Sequence, residues 1–216
     1  TNPYFSGLIR GAERQAEATG HILVIGDSEE NARAEARMVE RLAPGVDGFL
    51  LGSSRLPDAK ILQFDAAMPV VLVNRRVPGV TSVSPDQQGG TRQIVEHLVA
   101  LGHRRAIFLA GPPESWLGRQ RWAGISSAAK KHGLKVRRLG PYHPSVEGGL
   151  LAGEAALADG ATAVIAHNDL MAIGALKRMK ARGVSVPGDV SIVGFDDIFG
   201  ADFCDPPLTT LSDRTE

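Results

Sequence analysis

The feature that most narrows what this chain can become is one alternation along its whole length. A short apolar run is followed by polar residues, then by a stretch with helical apolar spacing, then by a glycine. The runs are His21-Ile22-Leu23-Val24-Ile25, Gly48-Phe49-Leu50-Leu51, Val70-Val71-Leu72-Val73, Ala106-Ile107-Phe108-Leu109, Ala163-Val164-Ile165-Ala166 and Val190-Ser191-Ile192-Val193. Successive strand residues point to opposite faces, so unbroken apolar runs predict strands covered on both sides. Between them, Phe5, Leu8, Ile9, Ala12 and Ala16 share one helical face. So do Ala32, Ala36, Val39 and Ala43; Ile94, Val95, Leu98 and Leu101; Trp122, Ile125 and Ala129; and Ala172, Ile173, Leu176 and Met179. A weaker helix is expected between Pro57 and Ala67. Strands alternating with helices predict a parallel, doubly wound α/β sheet with right-handed crossovers.

There are too many such units for one small open sheet with a single core. A barrel could hold them, but two doubly wound parallel-sheet subdomains fit better. A first crossing is expected at Leu101–His103. The proline-stiffened segment Pro206-Pro207-Leu208-Thr209-Thr210-Leu211 suits a second crossing strand. The expected subdomains are therefore residues 1–101 with 208–216, and residues 102–207. Thr1-Asn2-Pro3 can cap the first helix, but a helix in a parallel sheet domain should follow a strand. No helix follows Thr209-Thr210-Leu211. The chain reads as part of a longer protein.

Charge and composition remove several function classes. Lys+Arg and Asp+Glu both number 24, for zero formal net charge. Such a chain is a poor nucleic-acid binder by itself, so any DNA-reading part is expected outside these residues. No apolar run approaches the roughly 20 residues of a membrane helix, and no basic-then-apolar leader opens the chain. The single cysteine, Cys204, cannot form an internal disulfide and is expected to be a small buried apolar side chain. A reducing, cytoplasmic setting fits that usage. Despite 25 glycines there is no G-x-G pair, and no G-K-S/T, G-x-S-x-G or H-E-x-x-H. The common enzyme signatures of such folds are absent. The expectation is a binding protein, not an enzyme, with no cofactor and no metal; the Asp196-Asp197 pair lacks an evident third ligand, and His97 and His103 read as structural.

In open α/β sheets, ligands sit beyond the carboxyl ends of the strands. The loops there carry Gly111-Pro112-Pro113-Glu114-Ser115-Trp116, leading into a helix with Arg121, then His167-Asn168-Asp169 and Gly194-Phe195-Asp196-Asp197. The earlier half offers Tyr4, Phe5, Asp27-Ser28, Ser53-Ser54 and Asn74-Arg75. Carboxylate, amide and guanidinium groups pair with vicinal hydroxyls, and aromatic rings supply flat walls. The mixture suits a polyhydroxylated ligand in one cleft between the subdomains. Each residue also has a plainer reading. Asp169, just before the helical face, is expected to be that helix's N-cap. Trp116 is either a local lid or a ligand wall, and Tyr142, in Gly140-Pro141-Tyr142-His143-Pro144, is placed to close the cleft.

Several motifs in order now carry a resemblance. Asn2-Pro3-Tyr4-Phe5 before an Ala/Glu-rich helix, Val95-Glu96-His97-Leu98-Val99-Ala100-Leu101-Gly102-His103, Arg121-Trp122-Ala123-Gly124 and Asn168-Asp169-Leu170-Met171-Ala172-Ile173-Gly174-Ala175-Leu176 form the first part. Val186-Pro187-Gly188-Asp189-Val190-Ser191-Ile192-Val193-Gly194-Phe195-Asp196-Asp197 and Pro206-Pro207-Leu208-Thr209-Thr210 complete it. Together they resemble the effector domain of lactose-repressor-type (LacI/GalR) regulators, over nearly the whole chain. The resemblance implies a type I periplasmic-binding-protein-like fold with crossover strands and a homodimer. It also implies operator DNA bound through a helix-turn-helix module that this chain lacks, and a sugar or related effector that changes operator affinity, with repression the expected outcome. By the same resemblance Arg121, Asn168 and Asp196 hold the effector, with Tyr4 or Phe5 and Tyr142 as walls. Leu117 stands where the family often has Ser or Thr, and Gly89-Gly90 omits an acidic contact of some members. The rival reading is a periplasmic sugar-binding protein of an ABC transporter.

Overall fold

The computed structural model describes residues 2–212. The cap expected of Thr1, and the place expected for residues 213–216, lie outside them. Two compact units emerge, each with its own parallel sheet. The first comprises Ile9–Pro85 and Glu114–Leu117; the second comprises Asn2–Leu8, Asp86–Pro113 and the described residues from Gly118 to Ser212.

In the first unit, strands β1 (Phe49–Gly52), β2 (Val70–Val73) and β3 (Thr81–Val83) lie side by side in parallel. Helices α2 (Ala32–Leu42) and α3 (Asp58–Ala67) accompany them. Val39, Leu51, Leu56, Ile61, Val70 and Leu72 form the core. Asn31 caps α2, its side chain accepting from the amides of Arg33 and Ala34.

Two expectations fail here. The run His21–Ile25 forms no strand, and Ile22 is 90% exposed. Helix α1 (Phe5–Ala18) forms as expected but buries no residue of its apolar face. The physical reason for the missing strand is pairing. Apolar patterning yields a buried strand only where a neighbour completes the backbone ladder. Among the described residues no segment pairs with 21–25.

The second unit has five parallel strands in the order β5-β4-β6-β7-β8. These are β4 (Arg105–Leu109), β5 (Lys135–Leu139), β6 (Ala163–Ala166), β7 (Ser191–Phe195) and β8 (Thr209–Leu211). Its helices are α4 (Gln87–Ala100), α5 (Trp116–His132, entering this unit at Gly118), α6 (Val146–Asp159) and α7 (Asp169–Ala181). Alternation along β4 sends Ala106 and Phe108 to one face, packed with Ile94, Leu98 and Ile125. It sends Ile107 and Leu109 to the other, packed with Ala152, Met171 and Met179. Both faces are covered, which is why the runs are apolar at every position.

Helices α6 and α7 approach most closely at three glycines, Gly149, Gly153 and Gly174. A Cβ on Gly149 would lie 2.3 Å from the Met171 carbonyl oxygen, and one on Gly174 2.1 Å from that of Val146. Backbone cannot move aside as a flexible side chain can. Gly174→Ala is therefore expected to lower stability by about 1–3 kcal/mol in urea unfolding, through overpacking. This is despite alanine's helix-propensity advantage of about 1 kcal/mol. A variant more stable than the parent would show the seam to be loose.

Candidate functional site

The carboxyl ends of the second unit's strands gather polar residues from several elements. The turn after β7 delivers Asp196, whose φ of 106° is unusual for any residue but glycine. Such a conformation costs about 1–3 kcal/mol and persists only where the surroundings impose it. Here they do. The Asp196 amide donates to the Leu211 carbonyl of β8 at 3.1 Å. One carboxylate oxygen accepts from an Arg121 Nη at 3.0 Å. The other accepts from Asn2 Nδ2 at 2.9 Å.

Arg121, from α5, is buried, and its guanidinium serves three partners. Beyond Asp196, Nη1 donates to the His167 carbonyl in the turn after β6. Nε donates to Gln87 Oε1 at the start of α4, at 3.2 Å. Its plane also rests 4.3 Å from the Phe195 ring centroid, an attractive placement for a cation on a π face. Burial pushes the Asp196 carboxyl above the usual carboxylate range, against the opposing pull of Arg121 and Asn2.

Asn168 takes the role expected of Asp169. It is the N-cap of α7, Oδ1 accepting from the Met171 amide at 3.0 Å, and its Nδ2 donates to the Pro144 carbonyl at 3.2 Å. Asp169 is the first helical residue and is fully buried. It accepts from the Ile198 amide at 3.0 Å and from Thr210 Oγ1 at 2.6 Å. It thereby ties α7 to the segment after β7 and to β8. The cap went to Asn168 because the Asp169 side chain has these longer-range donors to meet. Burial raises the Asp169 pKa to about 7, although both hydrogen bonds favour the ion. Gly194 leaves room for it: a Cβ there would lie 2.0 Å from Asp169 Oδ1.

Tyr4 and Phe5 meet edge to face, with ring centroids 5.3 Å apart. The Tyr4 amide donates to Asn2 Oδ1 at 3.1 Å, so the pair hangs from the residue that grips Asp196. Tyr142 packs part-buried on the α6–α7 side of the sheet, and its amide donates to the Ala110 carbonyl at 2.9 Å. Trp116 begins α5 and belongs to the first unit. Cys204 is half-buried, not fully enclosed as expected, because its segment runs along the surface between two exposed residues.

Two polar partners of the cluster were not among the expected site residues. Asn2 was read only as a capping residue and as part of a motif; its place before Pro3 says nothing about a partner 194 residues away. Gln87 gives no signal in a single sequence.

A family model described as a periplasmic binding protein-like domain matches residues 95–216. The chain is 36% identical over 219 residues to the HTH-type transcriptional repressor CytR of Escherichia coli, covering 98% of this chain and 64% of that protein. The chain thus spans about 64% of the length of the curated relatives it matches. A sugar-binding transcriptional regulator of the LacI family from Escherichia coli, complexed with phosphate, is 32% identical, with a TM-score of 0.79 over 97% of this chain and 78% of that one. A LacI family transcriptional regulator from Enterococcus faecalis, with bound ribose, is 27% identical, with a TM-score of 0.88 over 99% and 80%. With its two parallel sheets, its ordered motifs and these matches, the chain belongs to the periplasmic-binding-protein-like domain family, in the form carried by LacI/GalR-type regulators.

Proposed function

We propose that this chain is the effector-sensing core of a cytoplasmic, homodimeric transcription regulator that binds a sugar or related small polar ligand and does not transform it. Ligand binding shifts the affinity of the full-length protein for operator DNA, read through a helix-turn-helix module, with repression as the outcome. The observation that carries the ligand reading is the buried Arg121–Asp196 pair, with part-buried Asn2 on it, at the carboxyl edge of the sheet. Asp196 is held in a strained conformation, and its oxygens retain lone pairs for ligand hydroxyls. Arg121 and Asp196 make the central contacts, Asn168 adds one from the α7 cap, and Tyr4, Phe5, Trp116 and Tyr142 supply aromatic walls. Bound ribose in one matched regulator supports the ligand class, and the regulator names of the matched proteins favour this reading over transport.

The test is calorimetry with D-ribose, D-xylose, D-glucose and D-galactose on the wild type and Asp196→Ala. One sugar is expected to bind in the micromolar range. The variant should bind it roughly tenfold to a hundredfold more weakly, as for loss of a hydrogen bond to a charged group. Unchanged affinity in the variant would remove Asp196 from the site.

A further inference from the structure

Gln87 lies at the start of α4 and is 6% exposed. Its Oε1 accepts from Arg121 Nε. Guanidinium nitrogens only donate, so the amide orientation is fixed by chemistry: the atom facing Arg121 must be the oxygen. Nε2 is therefore the amide atom that does not face Arg121. It is buried and has no hydrogen-bond partner among the described residues. An orphaned buried donor costs more than an ordinary hydrogen bond returns.

The position is held firmly. Thr91, one turn along α4, donates to the Gln87 carbonyl at 2.6 Å. It packs against Gly124, one turn along α5 from Arg121, where a Cβ would lie 2.1 Å from Thr91 Oγ1. The contact one turn away holds the start of α4 against α5 and so keeps the Gln87 backbone beside Arg121. A buried, unpartnered N–H2 on a residue that bonds a candidate binding residue is a donor waiting for an acceptor.

Resting on the sugar-binding reading above, we propose that Gln87 is itself a ligand contact, its Nε2 donating to a hydroxyl or ring oxygen of the polyol next to the group gripped by Arg121 and Asp196. A hydroxyl can accept from Gln87 and donate to Asp196 at once, so adjacent hydroxyls satisfy the amide and the carboxylate together.

The test uses the same four sugars by calorimetry on wild type, Gln87→Glu and Gln87→Met. Glutamate keeps the acceptor for Arg121 and removes the donor; methionine removes both. Both variants are expected to weaken binding of the sugar that the wild type takes, roughly three- to tenfold. Addition of that sugar should also shift the Gln87 side-chain amide signals in a nitrogen-15 spectrum, identified by their loss in Gln87→Glu. If Gln87 merely positions Arg121, Gln87→Glu binds like the wild type and its amide signals stay put, which overturns the inference alone. If no sugar binds the wild type, the sugar reading falls and takes this inference with it.

Discussion

Arg121→Ala is expected to destabilise the protein by about 3–5 kcal/mol, the range for removing one partner of a buried ion pair. The Asp196 carboxylate would lose its cation and lean on Asn2, in surroundings that already disfavour its charge. The His167 carbonyl and Gln87 Oε1 would lose their guanidinium donor, and Phe195 its cation. Most of that loss is the penalty of an uncompensated charge, not the intrinsic worth of the pair. Arg121→Met with Asp196→Asn should therefore recover more than half of it. Asparagine is neutral and tolerates positive φ better than most residues, so it does not worsen the turn. Urea unfolding of the two variants gives the comparison. A cost below about 1 kcal/mol for Arg121→Ala would mean that the pair behaves like an exposed one.

The second large effect is a pH dependence centred on Asp169. Its folded pKa is about 7, against an ordinary value of 3.8. Over that interval the folded state holds a proton that the unfolded state has released, so stability falls as pH rises. The contribution is fully present below about pH 4 and is lost as pH passes through 7. A shift of this size amounts to about 4 kcal/mol. Other carboxylates also titrate in this range, so the readout is a difference. Asp169→Asn should gain on the wild type by about 4 kcal/mol between pH 4 and pH 8 in urea unfolding. A flat difference would mean that the Ile198 and Thr210 hydrogen bonds hold the carboxylate ionised at its usual pKa. The site is sensitive because three segments share this one side chain: α7, the turn after β7, and β8.

The α/β class and most strands were legible because a two-faced sheet leaves a simple mark, buried apolar residues at every position of β6 and at every position after the first, allowing one glycine, of β4 and β7. What was missed follows from weaker marks. β5 (Lys135–Leu139) lies at the sheet edge and carries three cations in five residues, so it never reads as a buried run. β3 (Thr81–Val83) is three residues long. Helix α6 was hidden by Gly148, Gly149 and Gly153, which lower helix propensity yet allow the close approach to α7. The opposite error, a strand at 21–25, came from patterning that was correct but unpartnered. At the site, Arg121 and Asp196 were both named from loop position and motif, and they form one ion pair. Asn2 and Gln87 were not named as members of that cluster, because a hydrogen bond across 194 or 34 residues leaves no local trace.

The bare segment at 21–25 has a practical consequence. Ile22, Val24 and Ile25 are all exposed, with no charge or proline among them. Uncharged, β-prone stretches of this kind are the adhesive patches through which polypeptides clump. Wherever these residues stay uncovered, titrations meant to count ligands per chain are best run dilute.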